Sequence, residues 1–304
     1  MDLSFALPIS GTWATAENIV ELARVADQRQ CRGLWTFQRV LFPENTDMAS
    51  VYQGVIDPTV LLAYAAAVTT RARLGLAVVN GPFYAPAVLA KQLIAVDLLS
   101  NGRLDAGIGL GWLPEEYAAA GVPMAGRGKR FDEWLEAFDA VLPGGRVAFS
   151  GEHYSVPASM LEPKPVQRPR PPILIGGSSE AAYRRAARYD GWIASSRASA
   201  AEVKAAIDAM RDAATKAGRD ASEVRGIVRG VTALRATPVA DPDRRLLHGS
   251  LEQIAEDVEK FAIAGVDELF FDLNFDSELV GNPNADAGAA KDMAYQILET
   301  LIPA

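Results

Sequence analysis

The sequence predicts an α/β fold, a single (β/α)8 TIM barrel, on three observations. Apolar strand-like runs alternate with amphipathic helical runs along the whole chain, which is the pattern of parallel βα units. Eight such strands can be placed, the number that closes a barrel. The length of 304 residues suits one such domain over 1–304, bearing an insertion at about 144–172.

Strand one is expected at 3–8, followed by a helix at 16–29 with Thr15 as its N-cap and Asn18, Glu21 and Arg24 on its wet face. Strand two is 33–38. Asp57-Pro58 opens an alanine-rich helix to residue 69, strand three is 73–80, and another helix covers 85–99. Proline suits the first turn of both helices, where the N–H it lacks has no intrahelical partner. Strand four is 103–109, strand five 172–176, strand six 191–195, strand seven 225–233 and strand eight 268–273, with helices at 198–217, 250–264 and 287–301 between or after the later ones. The insertion opens with Gly144-Gly145 and a short β pattern in Val147-Ala148-Phe149 and Tyr154-Ser155-Val156. Pro163, Pro165, Pro169, Pro171 and Pro172 then read as an extended segment lying over the barrel. A second long connection, 41–54, carries Tyr52 and follows strand two on the face where barrel enzymes keep their sites. These two connections are expected to shape the substrate pocket.

Composition narrows the function. With 49% hydrophobic and 22% charged residues the chain can bury a sizeable core. A net charge of −8 and a pI near 5.0 exclude a general nucleic-acid binder, whose phosphate contacts need a basic face. The expected partners are a small-molecule substrate and a second copy of the chain. One cysteine, Cys31, excludes an intramolecular disulfide and reads as a buried structural thiol. Met1-Asp2-Leu3-Ser4 carries no basic leader, and no apolar run reaches the ~18 to 20 residues that span a bilayer, so no membrane association and a cytoplasmic location are expected.

Sites on this fold form where strands end. The strand ends nominate Ser10 and Gly11, then 36–39, 80–84, 109–112, 176–179, 195–197 and 272–274. Strand four breaks into Gly109-Leu110-Gly111 beside Trp112, where glycine lets the backbone approach a ligand or simply makes a turn, and the indole supplies a flat wall. Strand five empties through Gly176-Gly177 into Ser178-Ser179 and a helix. That arrangement suits a phosphate, or else helix capping by Ser178. No metal is expected, because neither His153 nor His248 has a ligand spacing. His248 stands before the capping-box pair Ser250 and Gln253 and reads as structural. No Gly-x-Ser-x-Gly elbow or reactive-cysteine setting supports a covalent nucleophile.

Taken in order, Asp57-Pro58, Ala65-Ala66-Ala67, Arg71-Ala72-Arg73-Leu74-Gly75, Ala90-Lys91-Gln92, Gly102-Arg103-Leu104, Gly107-Ile108-Gly109-Leu110-Gly111-Trp112, Arg127-Gly128, Pro163-Lys164-Pro165-Val166-Gln167, Pro172-Ile173-Leu174-Ile175-Gly176-Gly177 and Ala187-Arg188-Tyr189-Asp190-Gly191-Trp192 carry a resemblance. The chain resembles the bacterial luciferase-like flavin and deazaflavin oxidoreductases from strand one to the last helix. The resemblance implies a cofactor at the C-terminal face of the barrel, its phosphate near strand five and its ring near strands three and four. Gly176, Gly177 and Ser178 would hold the phosphate, with Gly109, Leu110, Gly111 and Trp112 approaching from strand four. Ala77 and Val78 match a bulge behind the ring, often built with a non-prolyl cis peptide. The family also implies a homodimer through early barrel helices.

Both flavin mononucleotide (FMN) and the deazaflavin coenzyme F420 serve this family. Leu110 stands where luciferase-type flavin enzymes place an arginine, and Gly176-Gly177 looks like the deazaflavin branch's phosphate turn, so F420 is expected with FMN as the alternative. Alanine- and arginine-rich helices are consistent with an actinobacterial source. Sugar-phosphate and alcohol dehydrogenases of the deazaflavin branch carry an Asp-His pair after strand two; here Gln38-Arg39 occupies the place, and arginine cannot serve as the base. Trp112 replaces the glutamate of the sugar-phosphate enzyme. The expected activity is hydride transfer between the deazaflavin C5 and a small organic substrate, with Arg39, Gln38 and Asn80 as candidate catalytic residues and Tyr84, His153 or water as proton donor. Arg39 either binds substrate or ring charge, with little effect on folding, or forms a salt bridge to a barrel carboxylate. An FMN-dependent monooxygenase and a non-catalytic cofactor-binding relative are the alternatives.

Overall fold

The computed structural model describes residues 1–196, 198–278 and 285–303. Its strands are β1 (Asp2–Ala6), β2 (Gly33–Thr36), β3 (Arg73–Leu76), β4 (Val79–Asn80), β5 (Leu104–Gly109), β6 (Gly145–Ser150), β7 (Ser155–Leu161), β8 (Ile173–Gly176), β9 (Gly191–Ile193), β10 (Arg225–Val231), β11 (Ala233–Leu234), β12 (His248–Gly249) and β13 (Glu268–Asp272). Its α-helices are α1 (Ala16–Gln28), α2 (Pro58–Ala66), α3 (Pro86–Leu99), α4 (Pro114–Ala119), α5 (Arg127–Val141), α6 (Glu180–Ala186), α7 (Ala200–Lys216), α8 (Leu251–Ile263) and α9 (Ala287–Leu301).

The main sheet runs β3-β2-β1-β13-β10-β9-β8-β5, and β5 pairs back to β3, so eight parallel strands close a barrel as the sequence predicts. Expected strand three is interrupted. β3 stops at Leu76, the Ala77–Val78 peptide is cis, and β4 resumes the pairing with β5 at Val79. Inside the barrel Trp35 stacks on Phe270 with centroids 5.2 Å apart, in a cluster with Leu174, Ile193 and Ile227. A polar plug closes the end where strands start. Asp105 bridges Arg73 (2.7 Å) and Arg225 (2.8 Å), and Glu268 accepts from the Ser4 hydroxyl (2.6 Å) and the Trp35 indole (2.8 Å). Burial acts to raise the Asp105 pKa, but the two guanidiniums outweigh it and hold the carboxyl low. At Glu268 burial, joined by the Asp105 charge, wins and pushes the pKa up.

The helices form because each can bury an apolar stripe against this sheet. Ile19, Leu22, Ala23 and Ala26 make the inner face of α1, and Thr15 caps it by accepting from the Asn18 N–H. Asn18, expected on the wet side, is buried, because residues 11–15 fold back and its Nδ2 donates to the Trp13 carbonyl at 3.0 Å. Asp57 caps α2 through the N–H groups of Thr59 and Val60. The Ser250–Gln253 capping box at α8 forms as expected. The sequence reading placed no helix at α5, yet Phe131, Trp134, Leu135 and Phe138 form a buried stripe there, Trp134 stacked on Phe138 at 4.7 Å.

The insertion holds the antiparallel hairpin β6–β7. Its proline-rich end does not lie over the site. Asp97 accepts from the N–H groups of Val166 and Gln167, and Gln167 Nε2 donates to the Leu104 carbonyl, which places the segment beside the first residue of β5, at the opposite end of the barrel.

Candidate active site

One cavity of about 380 Å³ opens where the barrel strands end. It is lined by the twelve residues expected to serve catalysis or the cofactor, Gln38, Arg39, Ala77, Val78, Asn80, Gly109, Leu110, Gly111, Trp112, Gly176, Gly177 and Ser178, whereas the other strand-end positions Ser10, Gly11, Thr36, 81–84, Ser179 and 272–274 stay outside it. Phe37, Tyr52, Ile193, Ala194, Ser195, Ser196 and Arg229 complete it. The connection 41–54 contributes Tyr52, whereas no residue of 144–172 takes part, so the second half of the expected pocket wall is absent. Tyr84 and His153, the proposed proton donors, do not line it either. Arg197 lies outside the described residues.

Val78 sets the floor. A Cβ on Gly109 would lie 2.4 Å from Val78 Cγ2, and one on Gly176 would lie 2.7 Å from Val78 Cγ1. The two glycines therefore make room for the Val78 side chain between the ends of β5 and β8, rather than only for a ligand. Gly177, at φ +137°, turns the chain after β8, and the Trp192 indole fixes that turn by donating to the Gly177 carbonyl at 2.6 Å. The cap of α6 is Ser179, accepting from the Ala182 N–H, and not Ser178, whose exposed side chain remains at the cavity. Arg127, whose Nε is buried with no hydrogen-bond partner, lines a second cavity together with Leu110 and Ser179.

Gln38 and Asn80 are organised together. Gln38 Oε1 accepts from the Asn80 N–H (2.9 Å), while its Nε2 donates to the Tyr84 hydroxyl (2.6 Å). This ties the end of β2 to β4. Arg39 takes the salt-bridge alternative. Its Nη1 donates to Glu116 Oε2 at 2.8 Å, and its guanidinium lies between the rings of Tyr52 (4.7 Å) and Trp112 (4.8 Å). Glu116 Oε1 also accepts from the N–H groups of Val40 and Leu41. Helix α4, which the sequence reading did not place, thereby clasps the loops after β2 and β5, Tyr117 donating its hydroxyl to the Leu110 carbonyl. The expectation that replacing Arg39 would spare folding is corrected by this geometry, since a buried carboxylate would lose its cation.

Sequence reasoning missed Arg229. It projects from β10 among Phe37 (4.7 Å), Phe275 (5.3 Å) and Phe270 (5.7 Å), and its Nη2 donates to the Ala77 carbonyl at 2.6 Å. Its Nε lies 3.3 Å from Asp272 Oδ2, and neither atom has an aligned hydrogen bond. Burial pulls the Arg229 pKa down against the pull of Asp272, and pushes the Asp272 carboxyl up against that of Arg229. The available signal was a charged residue breaking the apolar alternation of strand seven, in Gly226-Ile227-Val228-Arg229-Gly230-Val231.

Among the described residues the lining holds no histidine, cysteine or carboxylate, so its side chains offer donors, hydroxyls and flat apolar walls but no base for neutral pH. Cys31 is buried elsewhere in the core, and burial pushes its thiol up. Among the described residues no group of three His, Cys, Asp or Glu could hold a metal ion, and no helix is long and apolar enough to cross a membrane.

Comparison with known proteins agrees with the fold. An uncharacterised protein of Mycobacterium tuberculosis is 43% identical over 138 residues, 45% of this chain and 47% of that protein. The FMNH(2)-dependent dimethylsulfone monooxygenase of Pseudomonas putida is 33% identical over 201 residues, 65% of this chain and 53% of that enzyme. The chain thus spans about half the length of these relatives. The crystal structure of monooxygenase RslO1 from Streptomyces bottropensis superposes with a TM-score of 0.80 at 22% identity, covering 99% of this chain and 98% of the other. The coenzyme F420 dependent tetrahydromethanopterin reductase of Methanopyrus kandleri gives 0.73 at 15%, covering 97% and 98%. A family model for luciferase-like monooxygenases matches residues 3–240, and with the closed barrel this shows that the chain belongs to the luciferase-like family.

Proposed function

We propose that this chain is an oxidoreductase using coenzyme F420 to transfer a hydride to or from a small organic substrate. The observation that carries the reading is the cavity's composition: flat apolar walls, hydrogen-bond donors and the hydroxyls of Tyr52, Ser178, Ser195 and Ser196, with no histidine, cysteine or carboxylate among the described lining residues. Such a cavity binds and orients, and leaves the chemistry to a cofactor. The residues fit one that is flat at one end and phosphorylated at the other. Val78 offers an apolar floor for a ring, while the turn Gly176-Gly177-Ser178 and Arg127, whose Nε has no hydrogen-bond partner, offer donors to a phosphate. Arg127 joins the proposed cofactor residues, with Ala77, Val78, Gly109, Leu110, Gly111 and Trp112. When bound, the deazaflavin supplies the hydride at its C5.

The chain's own groups position and shield. Asn80, fixed through Gln38, presents its amide at the cavity, and Arg39, fixed by Glu116, holds Trp112 and Tyr52 as walls that exclude water. Arg229 anchors the bulge at Ala77 and lends positive potential to the floor. An FMN-dependent monooxygenase is the second reading, favoured by the FMNH(2)-dependent activity of the Pseudomonas relative. Titrating the protein with F420 and with FMN separates the two.

The proposal includes a homodimer. Val60 and Tyr64 on α2 and Val88 and Leu99 on α3 are exposed at 66%, 43%, 54% and 67%, an apolar face suited to a second copy. Light scattering should give twice the 32.5 kDa chain mass, and a monomer at micromolar concentration contradicts it.

A further inference from the structure

Hydride transfer to a C=O, or to a C=C conjugated with one, puts negative charge on the substrate oxygen, and a proton must reach it. Tyr84 and His153 lie outside the cavity, so the donor comes from the lining itself or from water. Among the described lining residues few protons can be given up. Arg39 and Arg229 keep theirs, and Gln38, Asn80 and Trp112 are not acids. Four hydroxyls remain, those of Tyr52, Ser178, Ser195 and Ser196. A phenol releases its proton far more readily than an alkyl hydroxyl, which singles out Tyr52.

The fold places this phenol across from the expected ring. The loop that carries it is fastened on both sides to the end of β1: the Ser10 hydroxyl donates to the Val51 carbonyl, and the Ile56 N–H donates to the Ile9 carbonyl at 2.9 Å. In the closed order β3-β2-β1-β13-β10-β9-β8-β5, strands β1 and β13 stand opposite β8 and β5, whose ends hold Val78 between them. A flat ring resting on Val78 therefore has Tyr52 on the other side of the cavity, with the substrate space between. Edge contacts with Phe37 (centroids 6.2 Å apart) and Phe275 (5.6 Å) hold the Tyr52 ring.

Two guanidiniums attend it. That of Arg39 lies 4.7 Å from the ring centroid, and Tyr52 is the third influence on the Arg229 guanidinium, after burial and Asp272, favouring its charged form. Both cations are ion-paired, Arg39 with Glu116 and Arg229 with Asp272, but the guanidiniums line the cavity and the carboxylates do not. Each pair thus turns its positive end toward the phenol, where charge forms as the proton leaves.

We infer that Tyr52 is the proton donor of the site, and that the substrate carries a carbonyl oxygen, either in the reacting C=O or conjugated to the reacting C=C. The inference rests on the hydride reading and deepens it. In the direction of reduction, the hydride leaves C5 of the anionic reduced deazaflavin with both electrons and bonds to the electrophilic carbon. The π pair moves to the oxygen, which takes the phenol proton. The substrate gains two electrons, the deazaflavin loses two, and the phenolate recovers a proton from water.

Tyr52→Phe keeps the ring and its contacts and removes only the hydroxyl, and the test compares it with the native protein in three measurements. F420 affinity, followed by tryptophan fluorescence, should agree within about twofold. Benzoate, an unreactive anion that offers an oxygen to the same donor, should bind the F420-loaded variant about tenfold more weakly, the loss of one hydrogen bond to a charged group. Oxidation of reduced F420 by cyclohex-2-enone, followed by absorbance, should slow by about a hundredfold or more. Equal benzoate binding in the two proteins, an equal enone rate, zero included, or a parallel loss of F420 affinity overturns the role of Tyr52 and leaves the cofactor reading standing. A native protein that binds no F420 overturns both.

Discussion

Arg39 and Glu116 form a closed ion pair at the rim of the cavity, their side chains 5% and 0% exposed. The pair joins the end of strand β2 to helix α4, and Glu116 at the same time receives two backbone N–H groups from the loop that brings Tyr52 to the site. Of the two roles the sequence leaves open for Arg39, substrate or ring charge and a salt bridge to a barrel carboxylate, the geometry shows the second.

Replacing Arg39 by Ala leaves Glu116 buried without its cation, and thermal or urea unfolding should show a loss of about 3 to 5 kcal/mol. Adding Glu116→Gln should restore part of it, because the neutral amide oxygen still accepts from Val40 and Leu41. An Arg39→Ala protein as stable as the parent would contradict the pairing.

Gly176 and Val78 compete for one volume. Gly176→Ala puts a methyl 2.7 Å from Val78 Cγ1 and should cost about 1 to 3 kcal/mol, with a parallel loss of cofactor affinity. In a Val78→Ala background the same substitution should cost far less. A double-mutant cycle measures this, and additive effects would show that the glycine serves something other than the bulge.

Acid should weaken the fold partly through Asp27, which accepts from the N–H groups of Thr70, Arg71 and Ala72. Burial acts to raise its pKa, but these bonds outweigh it and hold the carboxyl below its ordinary value. The folded pKa is therefore below the unfolded value of about 3.9, so the stabilisation is full above that pH and is lost as pH falls through the folded pKa. Asp27→Asn should cost about 1 to 3 kcal/mol at neutral pH and flatten the acid limb of a stability–pH curve. An unchanged limb would remove Asp27 from the account.

The barrel was legible because its signal is periodic: eight apolar runs separated by amphipathic ones determine the closure almost by count. The cavity lining was legible because strand ends face the open mouth of this fold, which puts Gly109, Gly176 and Ser178 at the cavity without any knowledge of a ligand. What escaped were relationships between segments distant in sequence. The Glu116 partner of Arg39 lies 77 positions away on a short helix introduced by Pro114. Arg229 looks like a flaw in an apolar strand until Asp272, Ala77 and three phenylalanines are brought around it. Helix α5 was overlooked although Phe131, Trp134, Leu135 and Phe138 follow helical spacing, because its opening Arg127-Gly128-Lys129-Arg130 is charged and contains glycine. The proline-rich segment was assigned to the wrong end of the barrel, since proline density fixes extension and not direction.

The central claim is the cofactor, and its most direct measurement is a pair of binding titrations on the purified protein, followed through tryptophan fluorescence with the half-exposed Trp112 at the cavity rim as reporter. The account predicts tighter binding of coenzyme F420 than of FMN, by tenfold or about 1.4 kcal/mol or more. A Ser178→Ala/Arg127→Gln variant should weaken it through the lost phosphate donors. Tighter binding of FMN than of F420 would contradict the account and return the chain to the flavin monooxygenase reading.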